Sequence, residues 1–205
     1  MLAADHGYAK ENRIMLRRIS ILVSAIFLVY SVAVYAVSEL PIAEDNEYLL
    51  SADGASWFLQ FAKADFELLQ SKFRNEGRSR YFHFSDKSGL NVSFFIEPAS
   101  SCRTSVECRK MQHDKPSASM KAARYVKDYE INGFAVVEYF LEKPGDDLIA
   151  QFPALKGKVI NQGNINAHYV REGYWVDVHI SKLNFSDADR LRFKKTIESL
   201  AFVKR

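Results

Sequence analysis

Apolar and polar residues alternate along several short stretches of this chain, and a period of two is the signature of a strand with one buried face. The clearest stretch is 174–181, where Val176, Val178 and Ile180 fall on one side and Trp175, Asp177 and His179 on the other. A second alternating stretch, 162–171, precedes it across Glu172-Gly173, a pair short enough to fix the register of a hairpin. Arg171 then pairs with Tyr174, His168 faces Asp177, and Asn166 faces His179. Ile165, Ala167 and Tyr169 join the apolar side, so one face of this hairpin is core and the other polar.

Other stretches obey the same logic. Residues 124–130 and 134–141 flank Ile131-Asn132-Gly133, and Asn-Gly is suited to the positive φ of a tight turn. Residues 81–84 and 90–96 bracket the turn Asp86-Lys87-Ser88-Gly89. Residues 57–61 are rich in strand formers, 66–73 fit strand or helix, and 105–115 read as a short helix. The connection 143–161 holds Pro144, Gly145, Pro153 and Gly157, and either covers the sheet or lies on its edge. Ser186 and Asp189 have the spacing of a helix N-cap, and Phe193, Ile197, Leu200 and Ala201 then recur as one apolar stripe. The chain is expected to close with that helix. Glu138 shares a face with Phe134, Val136 and Phe140, and Ser93 with Glu97, but their alignment with His168 does not follow from sequence. Short turns between strands exclude parallel winding, so the expected fold is α+β, a mostly antiparallel sheet flanked by helices.

Residues 19–37 carry no charge and directly follow Arg17 and Arg18, which is the grammar of membrane insertion. Val34 and Ala36 offer the small residues of a signal-peptide cleavage site after Ala36; uncleaved, the run just reaches the length that anchors a chain in a bilayer. The organisation expected is a signal peptide or anchor over 1–36, a linker over 37–53 and a single domain over 54–205. That domain is exported, periplasmic or secreted, or held at the inner membrane through residues 19–37.

Composition narrows the function classes. The 205 residues are 48% hydrophobic and 26% charged, as in a globular protein. The net charge of +3 comes mostly from the leader. Residues 1–36 hold four basic and two acidic groups; removing them from the chain's 28 and 25 leaves 24 and 23. Basic residues are interspersed with acidic ones, so there is no basic face for nucleic acid. Cys102 and Cys108, the only cysteines, fall in the exported part, where an oxidising compartment favours a disulfide. Two cysteines alone supply half a tetrahedral zinc shell. No serine sits in a nucleophile elbow and no glycine loop has phosphate-binding spacing.

One constellation remains. His168, Asp177, His179 and Asn166 share the polar face of the last hairpin. They form either a structural cross-strand polar cluster or a site at which His168, Asp177 and His179 bind a divalent metal or carry out acid–base chemistry. The spacing closes no complete ligand shell, so no catalytic residue and no cofactor is assigned, and a divalent metal is the alternative.

The closing phrase 167–182, Ala-His-Tyr-Val-Arg-Glu-Gly-Tyr-Trp-Val-Asp-Val-His-Ile-Ser-Lys, and the helix ending Ile197-Glu198-Ser199-Leu200-Ala201-Phe202 resemble the end of the PsbP-like family, over residues 165–203. That resemblance implies an α/β/α sandwich and a non-enzymatic binding or assembly role beside a membrane, with a protein partner at the cell envelope. It implies no shared catalytic set. The rival expectation is a metal-binding protein or metal-dependent enzyme built on the His/Asp cluster.

Overall fold

The computed structural model describes residues 42–44, 46–63, 66–73, 77–114 and 123–205. The run 19–37 lies outside them. Among the described residues no helix is long and apolar enough to cross a membrane. In chain order the strands are β1 (Ile42–Glu44), β2 (Glu47–Leu50), β3 (Trp57–Ala62), β4 (Glu67–Phe73), β5 (Arg80–Ser85), β6 (Leu90–Pro98), β7 (Arg124–Ile131), β8 (Phe134–Leu141), β9 (Gln162–Arg171), β10 (Tyr174–Leu183) and β11 (Ala201–Lys204). The helices are α1 (Ser105–Asp114), α2 (Asp146–Gln151) and α3 (Asp187–Glu198), with one 3-10 turn at Pro153–Leu155.

The fold is α+β and its strands are paired antiparallel in two sheets. The larger has the order β4-β5-β6-β10-β9-β8-β7; the smaller has the order β1-β2-β3-β11. Both expected tight turns form. Asn132 and Gly133 have φ of 48° and 81°, and Glu172 and Gly173 have 49° and 78°, the double left-handed geometry that a twisted two-residue hairpin requires. The register around Glu172-Gly173 pairs Arg171 with Tyr174, His168 with Asp177 and Asn166 with His179.

One face of the large sheet is the core. Phe84 and Phe94 meet Phe61 of β3 at ring distances of 5.0 and 4.9 Å, so the small sheet packs here. Helix α3 buries Phe193 and Ile197 against the same core, and its N-terminus is held by reciprocal bonds between Ser186 and Asp189. Glu138 is only 1% exposed on this face and is met by Arg190 of α3 at 2.6 Å. A buried carboxylate needs such a partner.

Two expectations need correction. Residues 37–53 are not all linker: β1 and β2 lie within them, and Tyr48 and Leu50 are buried at alternate positions. A four-residue strand is too short for its period to stand out. The chain also does not close with a helix. Helix α3 stops at Glu198, and Ala201–Lys204 pairs with β3, placing the Phe202 ring 5.1 Å from Trp57 and 4.7 Å from Tyr169. Aromatic contacts across the core override the helical period, which Leu200 and Ala201 continue only by coincidence. Of the undecided stretches, 66–73 contributes β4, and 143–161 carries α2 and the 3-10 turn.

Candidate functional site

The site lies on the other face of the large sheet. Strand pairing sets it out in rows. His83 of β5, Ser93 of β6, His179 of β10 and Asn166 of β9 stand side by side. The next row runs Tyr81, Phe95, Asp177, His168. Ser93 and Glu97 thus fall on the His168 face, opposite His179 and Trp175, whereas Glu138 lies on the core face.

Helix α1 covers the β8–β9 end of these rows. Four features hold it there. The Cys102–Cys108 disulfide, with Cα atoms 5.1 Å apart, closes the loop leading into it. Ser105 Oγ accepts from the backbone N–H of Val170 at 3.2 Å. Arg109 donates to the Tyr129 carbonyl at 3.2 Å and lies 3.5 Å from Asp128. Gln112 Oε1 lies 2.7 Å from His168 Nε2.

His168 is fully buried. Its Nδ1 accepts the indole N–H of Trp175 at 3.2 Å, and because an amide oxygen can only accept, Nε2 carries the proton donated to Gln112. Both nitrogens are therefore engaged in the neutral tautomer. Asp177 Oδ1 accepts from the Asn166 amide nitrogen at 3.4 Å, at the weak end of hydrogen bonding, and lies 3.4 Å from His168 Nδ1, which in this tautomer has no proton to give it. Asn166 Oδ1 is buried without a hydrogen-bond partner.

His179 is half-buried, with Nε2 3.2 Å from Asn164 Oδ1. Burial pushes its pKa below the ordinary value; the Asp177 charge raises it and His83 lowers it further. Tyr139 is held above the ordinary tyrosine range by burial and by the Asp177 charge.

The four expected residues do share one neighbourhood, but His168, Asp177 and His179 are not arranged as a metal shell. Among the described residues no group of three or more His, Cys, Asp and Glu side chains is placed to hold a metal ion. Sequence reasoning misses Gln112 and His83. Gln112 comes from a helix that no sequence signal places over β9, and His83 needs the β5–β6–β10 order, which hairpin arithmetic does not supply.

No protein-family model matches the chain. No curated protein matches it. A crystal structure from Bacteroides thetaiotaomicron is similar with a TM-score of 0.42 and 10% identity, covering 80% of this chain. The chain spans about half, 49%, of that structure's length.

Proposed function

We propose that this chain is an exported domain on the outer side of a cell membrane, where it binds a protein partner and does not transform a substrate. The observation that carries the reading is the second face of the large sheet. His83, Ser93 and His179 stand half-exposed in one row, while the imidazole best placed for acid–base work, His168, is buried and occupied by Gln112 and Trp175. Such a surface suits recognition by many weak polar contacts.

The Cys102–Cys108 disulfide supports passage through an oxidising compartment. Helices α1 and α3 on opposite faces of the large sheet support an α/β/α layering of the PsbP-like kind, with the small sheet beside α3 as an addition to it.

The test is cross-linking of the tagged full chain in its native membranes, beside a Ser93→Lys variant that places a charge in the middle of the row. The expected result is a specific partner recovered with the parent chain and lost with the variant. Recovery of the same proteins with both chains, or of none, refutes the binding reading. Intact chain with both thiols free in the cytosol refutes export.

A further inference from the structure

Acceptors outnumber donors around Asp177. Its Oδ1 receives one weak hydrogen bond, from the Asn166 amide, and lies beside the unprotonated Nδ1 of His168. Asn166 is 4% exposed, and the Oδ1 of the same amide is buried with no donor. His168 cannot supply the missing proton, because Trp175 holds its Nδ1 as an acceptor and Gln112 takes the proton on Nε2. Among the described residues no lysine or arginine pairs with Asp177. A buried acceptor left without a donor is costly, and a recessed carboxylate without a cation is more so.

The carboxylate can be reached from outside. Its side chain is 22% exposed, and the row leading to it through Tyr81 and Phe95 lies on strands that α1 does not cover. Trp175 and His179 flank it on β10, two residues to either side and both half-buried. The basic residue in this row, Lys72 of β4, pairs with Tyr81 and so stands three strands from Asp177, about 14 Å by the spacing of strands. A recessed anion flanked by rings selects a cation, and the rings select its shape. A guanidinium is planar, stacks on ring faces and presents a fork that matches a carboxylate, whereas an ammonium is a strongly hydrated point charge. It also brings five N–H donors and no acceptor to a place short of donors.

We infer that Asp177 receives an arginine side chain of the protein partner, its guanidinium seated between Trp175 and His179 and supplying the donors that Asp177 and Asn166 lack. The inference rests on the reading that this face binds a protein, and it gives that protein a chemistry: an arginine presented to the middle of the polar rows.

The test has two arms. In the first, the full chain in detergent micelles is titrated with N-acetyl-arginine amide, with its lysine counterpart, and with the citrulline counterpart, which keeps the shape without the charge. Proton–nitrogen NMR follows the indole N–H of Trp175, beside the site. A saturable shift is expected with the arginine compound, several-fold weaker binding with lysine and at least ten-fold weaker with citrulline. Asp177→Asn, checked for an unchanged urea midpoint, is expected to abolish the shift. No saturable shift, equal binding of either counterpart, or equal binding by Asp177→Asn overturns the inference. The counterparts need no variant, so this arm decides even where Asp177→Asn does not fold. In the second arm, the parent chain and Asp177→Asn are cross-linked in native membranes, and recovery of the partner is expected to fall several-fold with the variant. Undiminished recovery overturns the inference alone and leaves the binding reading standing. Recovery of no partner by the parent chain refutes that reading and the partner's arginine with it, and a positive titration then marks a site for a free guanidinium compound.

Discussion

Trp175 donates its indole N–H to His168 Nδ1 at 3.2 Å, joining adjacent strands through two side chains whose residues are seven positions apart. The bond assigns the imidazole tautomer and leaves Asp177 without a donor on that nitrogen. Trp175→Phe removes one hydrogen bond to a buried imidazole, which costs about 1 kcal/mol. The expected outcome is a lower urea midpoint with unchanged slope. A midpoint equal to the parent's refutes the account.

The Arg190–Glu138 pair makes a contrast testable in two variants. Arg190→Met strands a carboxylate that is 1% exposed and is expected to cost about 3 kcal/mol or more. Replacing both, as Glu138→Leu with Arg190→Met, removes the stranded charge and is expected to recover most of that loss. Chemical denaturation of both variants measures it; a double variant as unstable as the single one counts against the pairing.

Acidification acts on His179. Unfolded, its imidazole binds a proton near pH 6.5; folded, burial delays that binding to lower pH. Below pH 6.5 the unfolded state holds more protons, so stability falls as pH drops through this window. The facing groups are Asp177, whose charge opposes the shift, His83, which adds to it, and Asn164, which accepts from Nε2. His179→Gln keeps a donor to Asn164 and is expected to flatten the melting temperature between pH 5 and 7. An unchanged profile contradicts the assignment.

The disulfide closes a short loop, and opening it by Cys102→Ser with Cys108→Ser is expected to cost about 2 kcal/mol without unfolding the sheet. Hydrogen exchange checks where the loss falls. Faster exchange is expected in α1, with β9 and β10 still protected; uniform loss across the sheet contradicts a local role.

The last hairpin is the most legible part of this sequence because a two-residue turn converts residue numbers into neighbours, and Asp177 and His168 meet as that arithmetic requires. Contacts between distant segments have no such rule. Gln112 reaches His168 from 56 residues away, and Phe202 finds Trp57 across almost the whole domain. The tail misleads for a related cause: Leu200 and Ala201 suit the α3 stripe by spacing, and only the waiting edge of β3 makes Ala201–Lys204 a strand. Short strands such as Glu47–Leu50 carry too few residues to display a period at all.

The smaller sheet joins segments far apart in the chain, since β11 completes it by pairing with β3. Residues 201–204 are synthesised long after residues 57–62, so the edge of β3 stays bare and the indole of Trp57 lacks its Phe202 lid until that late segment arrives.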